Sequence, residues 1–335
     1  MRTADFDFHL PPESIAERPA EKRDSSRLLV LGRDGSREHR HFSDLPAYLN
    51  AGDILILNNS RVLPARIIAT KPTGGKIEIT LVSRLSDRSW TALTRERYSG
   101  ILSAGDRFSI ELVDGKTVNF SSSNEMTEII NTHGLMPLPP YIRRKPDRND
   151  RERYQTVYAE VEGSIAAPTA GLHFTDELMN KLRERSVLVR MITLHVGTGT
   201  FRPVKAEMVI DHRMDEEKFE MDASLMSEMR EASERGNRVI TVGTTTTRTL
   251  EGYLAGKCSI YSSNGRIRGA TDIFIHEGHR FRAADALLTN FHLPRSTPLM
   301  LAAAFAGRKN LLNAYNEAIS MGYRFFSYGD AMLLL

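Results

Sequence analysis

Residues 166–175 read Ala-Ala-Pro-Thr-Ala-Gly-Leu-His-Phe-Thr, small residues with one histidine just ahead of a helix, a pattern that can bring backbone and an imidazole against a ligand. Pro168 fixes its own φ, and Thr169 adds a hydroxyl. Gly171 can take φ > 0 or let a ligand approach the main chain, and Thr175 caps a helix whose first turn carries Asp176 and Glu177. His173 and Phe174 then stand just upstream of a helix N-terminus. A tight turn with a structural histidine accounts for the same ten residues, so other segments must decide.

Four of them have related chemistry. His-Val-Gly-Thr-Gly-Thr-Phe-Arg-Pro-Val at 195–204 follows an apolar strand; Thr198 and Gly199 can present a hydroxyl and backbone N–H groups, and Arg202 supplies a cation. Val-Gly-Thr-Thr-Thr-Thr-Arg at 242–248 places Thr244 at a helix N-terminus suited to a carboxylate, ribose or phosphate oxygen, but lacks the lysine and second glycine of a P-loop. Residues 289–297 put Asn290, Phe291 and His292 between an apolar strand and a helix, and residues 325–330 set Tyr328 and Asp330 beside aromatic rings. Asn59 and Arg61 end another apolar strand. Each alone fits a plain turn, and their common place at strand ends points to one composite site. Metal chemistry is not expected, because the ten histidines include no helical His-x-x-x-His pair and Cys258 is the single cysteine.

The elements that would carry these loops fall into two patterns. Residues 27–31 and 38–42 form a hairpin and 53–57 a buried strand, followed by short alternating runs at 62–69, 76–83, 89–93, 106–113 and 116–120, as in a small β-barrel. After a helix at 125–131 and the stiff Pro-Leu-Pro-Pro at 137–140, helices alternate with strands: 176–185, 187–195, 224–235, 238–242, 247–254, 298–306 and 311–320. The expected architecture is a layered α/β domain with a mostly parallel sheet, made from residues 1–60 and 150–335, with a small β-barrel domain inserted at 61–149.

At 335 residues, 41% hydrophobic and 26% charged, the composition is that of an ordinary globular protein. No stretch approaches the roughly 18 apolar residues of a membrane span, and Asp5 and Asp7 make the start unlike a signal peptide, so no membrane partner and a cytoplasmic location are expected. Arg143, Arg144, Lys145, Arg148, Arg151 and Arg153, set against Asp147, Asp150 and Glu152, carry an excess equal to the whole net charge of +3. With Tyr141 and Tyr154 flanking it, this segment suits a polyanion such as a nucleic acid; a self-paired, solvated linker is the other reading.

Together these segments resemble the S-adenosylmethionine:tRNA ribosyltransferase-isomerases of queuosine biosynthesis, essentially end to end: Asp-Phe-Asp-Phe at 5–8, Asn-Ser-Arg-Val at 59–62, Pro-Leu-Pro-Pro-Tyr-Ile at 137–142, Gln-Thr-Val-Tyr at 155–158, the 166–175 block, 195–204, Gly-Thr-Thr at 243–245, 285–297 and 323–332. Departures are local: Thr246 and Thr247 stand where serine and valine are expected, Glu277 and His279 where proline and tyrosine are, and Ala283 and Ala284 where valines are usual.

The resemblance implies transfer and isomerisation of the ribosyl part of S-adenosylmethionine onto 7-aminomethyl-7-deazaguanine in a tRNA anticodon. Adenine and methionine are released and epoxyqueuosine is left, with S-adenosylmethionine as co-substrate, no permanently bound cofactor, and a monomer as the working form. Such a reaction needs a base for the proton beside the sulfonium, a group that stabilises departing adenine, and a neutral amine. The hypotheses are His173, kept neutral by the helix N-terminus, as base, Asp330 as second base, and His292 at the adenine. Phe174, Phe291 and Tyr328 offer faces for the sulfonium. Arg202, Thr198 and Thr244 would hold the carboxylate or ribose, and Asn59 with Arg61 would close the pocket. Arg143, Arg144, Lys145 and Arg148 would grip tRNA. A methyltransferase and a noncatalytic RNA-binding barrel protein are the alternatives.

Overall fold

Ile54–Asn58 is buried at every position, and the computed structural model, which describes residues 1–197, 204–261 and 264–335, shows what covers both faces. Leu55 and Leu57 meet Leu178, Met179 and Leu182 of helix Asp176–Glu184, while Ile54 and Ile56 meet Leu225, Met229 and Leu250 on the other side. Side chains alternate along a strand, so an unbroken apolar run belongs to a strand covered twice.

This strand lies inside a ten-stranded sheet. The order is Ser259–Ile260, Arg266–Thr271, Glu217–Asp222, Leu188–Leu194, Ile54–Asn58, Val239–Val242, Ala286–Asn290, Ala331–Leu334, Arg27–Leu31, Arg37–His41. The sheet is mixed, which corrects the expectation of a mostly parallel one. Leu188–Leu194, Ile54–Asn58, Val239–Val242 and Ala286–Asn290 run parallel, whereas Glu217–Asp222 and Ala331–Leu334 each return antiparallel against that core. Arg27–Leu31 pairs parallel with Ala331–Leu334, so the two ends of the chain complete one sheet.

The directions decide where the loops go. Asn58, Leu194, Val242 and Asn290 are the carboxyl ends of the parallel strands, and Ala331, opposite Asn290, is the start of the antiparallel one. The segments after Asn58, Leu194, Val242 and Asn290, and those before Arg27 and Ala331, therefore share one edge of the sheet. That edge is where open α/β sheets bind ligands.

Helix Thr244–Leu254 starts three residues earlier than residues 247–254 suggested. Threonine is a poor helix former, yet here its hydroxyls bond back to the helix: Thr247 Oγ1 donates to the Gly243 carbonyl at 3.0 Å and Thr249 Oγ1 to the Thr245 carbonyl at 3.0 Å. Gly243, at φ 87°, makes the sharp entry that a side chain would strain.

The barrel is closed by six strands in the order Thr117–Phe120, Ser89–Thr94, Lys76–Arg84, Arg66–Thr70, Gly100–Ala104, Phe108–Val113. Ile67, Ile79, Leu81, Leu102, Ile110, Leu112 and Val118 fill it, and helix Ser123–His133 seals it with Met126, Ile129 and Ile130. The chain leaves the sheet through Ser60–Val62 and returns through Val161–Ser164, and these two strands pair with each other. No helix among the described residues is long and apolar enough to cross a membrane.

Candidate active site

His173 ends the short helical turn Thr169–His173 and is buried against the sheet edge. Its Nδ1 lies 2.7 Å from Ser26 Oγ and its Nε2 3.0 Å from Asn290 Nδ2. An amide NH₂ only donates, so in this arrangement Nε2 carries the lone pair and Nδ1 the proton, and Ser26 Oγ passes its own hydrogen to the Arg23 carbonyl at 3.2 Å. Phe42 stacks on the imidazole at 4.9 Å. Burial first, then the charges of Arg324 and Arg23, push its pKa down to about 3. The ring is therefore neutral at pH 7, and the main cause is desolvation rather than the helix N-terminus invoked from the sequence.

Asn290 connects this histidine to a cleft. Its Nδ2 also donates to the Phe326 carbonyl at 3.2 Å, and its Oδ1, fully buried, has no partner. The cleft holds about 460 Å³ of empty space and is lined by Tyr141, Thr169, Thr244, Asn290, Phe291, His292, Leu293, Ser296, Pro298, Phe326 and Ser327. Tyr141 and Phe326 stack at 4.5 Å, and the Tyr141 hydroxyl bonds Ser327 Oγ. Phe326 has φ 74°, a strained value for a bulky residue and one found chiefly where function holds it. His292 Nε2 lies 2.8 Å from Thr289 Oγ1, and burial pushes its pKa down to about 3. Two helices, Thr244–Leu254 and Thr297–Ala306, begin at this cleft, giving it a partial positive potential.

The cleft thus gathers Thr169, Thr244, Asn290, Phe291 and His292. A narrow recess beside it takes His173 and Tyr328, together with Arg23, Ser26 and Arg153. The other expected residues lie elsewhere. Phe174 is fully buried in the core, edge-on to Phe42 at 5.0 Å, so its face is not offered to a ligand. Gly171 does not take positive φ, and what approaches its Cα is Tyr158 Oη and Thr156 rather than a ligand. Asp330 accepts from the Arg27 N–H at 2.9 Å, the Arg324 N–H at 2.8 Å and Arg27 Nε at 3.3 Å, a clamp that leaves little of the carboxylate for proton transfer. Asn59 is held by Thr193 Oγ1 at 2.7 Å and Glu160 at 3.1 Å, while Arg61 donates to the Ala159 carbonyl at 2.7 Å, ties that anchor the barrel crossing. Thr198, Gly199 and Arg202 lie outside the described residues.

The basic segment divides. Arg144 forks onto buried Asp150 with two 2.7 Å bonds, Asp150 also accepts from Tyr328 Oη at 3.0 Å, and Arg151 caps the carbonyls of Asn131 and Gly134. Arg143, Lys145 and Arg148 remain on the surface. Arg144 is thereby a structural cation, contrary to its expected place in a tRNA grip.

The model of a family described as queuosine biosynthesis protein matches residues 3–334. The chain belongs to the queuosine biosynthesis protein family. It is 50% identical to the S-adenosylmethionine:tRNA ribosyltransferase-isomerase of Thermodesulfovibrio yellowstonii and 46% identical to that of Clostridioides difficile, with both members of each pair covered completely. The crystal structure of S-adenosylmethionine tRNA ribosyltransferase from Thermotoga maritima is 36% identical, with a TM-score of 0.57 over 99% of this chain and 100% of that one.

In this member of the queuosine biosynthesis family, sequence reasoning missed Ser26, Arg23 and Phe326 as site residues and read Tyr141 only as an aromatic flanking the basic segment. Tyr141 and Phe326 lay in the quoted runs at 137–142 and 325–330, where an aromatic next to a sharp turn was the available signal. Ser26 had none, because its partner His173 is 147 residues away.

Proposed function

We propose that the chain is an S-adenosylmethionine:tRNA ribosyltransferase-isomerase. It moves the ribosyl part of S-adenosylmethionine onto 7-aminomethyl-7-deazaguanine at the wobble position of a tRNA, releasing adenine and methionine and leaving epoxyqueuosine. The observation that carries this reading is the complete, 50% identical match to a relative of that name. The cleft at the sheet edge supports it with chemistry suited to a sulfonium nucleoside. Tyr141 and Phe326 supply aromatic faces for the cation, a contact worth about 0.5–2 kcal/mol, and Asn290 Oδ1 is a buried acceptor awaiting a donor from the adenosyl group. His292 is assigned to the departing adenine. His173, whose lone pair is engaged by Asn290, is assigned to orienting that amide; it serves as a base only if ligand binding draws the amide away.

The anticodon arm is assigned to the groove between barrel and sheet, about 1740 Å³ of empty space lined by Trp90, Met126, Glu162, His195, Glu217 and Lys218 among others. Arg143, Lys145 and Arg148 add the phosphate grip. Residues 61–149 are taken as the inserted tRNA-binding domain, and the enzyme is taken to act in the cytoplasm as a monomer. Incubation with tRNA bearing the 7-aminomethyl base and S-adenosylmethionine labelled separately in ribose and methyl tests the reading. Ribosyl label on the tRNA with free adenine is expected; methyl label alone, or no label, contradicts it.

A further inference from the structure

Arg248, one turn into helix Thr244–Leu254, is 6% exposed, and one of its terminal nitrogens, Nη2, has no hydrogen-bond partner. An arginine brought out of water with an unmet donor is costly, because charged groups lose the most on burial. Its other donors are fixed: Nε donates to the Ile273 carbonyl at 3.0 Å and Nη1 to Glu217. The guanidinium is thus locked in place with the two N–H donors of Nη2 unspent. It lines a small recess of about 240 Å³ with Thr244, Thr245, Thr297, Pro298 and Leu301. Thr244 and Pro298 also line the cleft next to Asn290, so recess and cleft adjoin each other.

Two features there favour a small anion. Helix Thr244–Leu254 has no side-chain cap, and its first residues, Thr244 and Thr245, line the recess. The small size of the recess suits a carboxylate rather than a bulky polyphosphate.

Resting on the function proposed above, we propose that Arg248 receives the amino-acid carboxylate of S-adenosylmethionine, with the N-terminus of its own helix completing the anion site. Glu217 holds the guanidinium from behind. Because Glu217 also lines the barrel-sheet groove, the Arg248–Glu217 pair stands between the two substrate spaces.

The test compares equilibrium binding of S-adenosylmethionine with its decarboxylated analogue. A charge-assisted hydrogen bond gives wild type a preference of about 10- to 100-fold for the carboxylate form. Arg248→Lys should reduce that preference, and Arg248→Met with Glu217→Gln, which removes both buried charges together, should reduce it to about 2-fold or less. Retention of the wild-type preference in both folded variants, or equal affinity of wild type for the two ligands, overturns the assignment. Failure of wild type to bind either ligand would instead overturn the functional reading beneath it.

Discussion

At the scale of single residues, the structure gives His173 a role that its position in the chain concealed. A buried neutral imidazole bonded on both nitrogens costs stability whenever acid would protonate it. Its folded pKa of about 3 lies below the unfolded value of about 6.5, so the unfolded state binds the extra proton. Stability contributed by the neutral ring is intact above pH 6.5 and is lost progressively as pH falls toward 3, with a slope of about 1.4 kcal/mol per pH unit for one proton. Urea unfolding between pH 4 and 7 should accordingly show a shallower decline for His173→Gln than for wild type; parallel curves would mean that the ring is not held as described. The same variant separates the two chemical roles. Gln can still bond Asn290, so orientation predicts a turnover loss of about 10-fold, whereas loss of a general base predicts about 100- to 10,000-fold.

At the scale of elements, the basic segment shows why charge alone misleads. Interleaved acids and bases admitted both a tRNA grip and a self-paired surface, and the fold uses both. Arg144 to Asp150 is the internal half: Arg144→Met should leave a buried carboxylate unpaired and cost about 3 kcal/mol in chemical denaturation. Arg143→Glu with Arg148→Glu, on exposed positions, should leave the unfolding midpoint unchanged, weaken tRNA binding, and flatten its dependence on salt. Unchanged affinity would remove those residues from the interface.

The strands show a similar limit. Ile54–Asn58 was legible because its first four positions are all apolar, and the hairpin from the turn after the apolar strand Arg27–Leu31, although its partner Arg37–His41 is polar and mostly exposed. Glu217–Asp222 went unread because Glu-Lys-Phe-Glu-Met-Asp alternates around buried Glu217, whose polarity hides the pattern. Gly100–Ala104 was missed because its exposed Ile101 and opening glycine break the period of the barrel.

At the scale of the whole molecule, the order of the strands brings the separate motifs together. The run at 242–248 and the segments around Asn290 and Tyr328 are distant in sequence, yet the parallel core and the antiparallel return of Ala331–Leu334 put them on one edge. Local patterns could place each motif at a strand end but could not order the strands. They consequently could not tell Asn290 and Thr244, which line the cleft, from Phe174, which is buried behind it.

The central claim is that this edge cleft, rather than the larger barrel-sheet groove, holds S-adenosylmethionine. Determining the structure with S-adenosylmethionine bound tests it most directly. The expected result is the sulfonium against the stacked Tyr141–Phe326 pair and near Asn290, with the carboxylate toward Arg248. Density for the nucleoside against Trp90, His195 and Lys218, with the edge cleft empty, would contradict it.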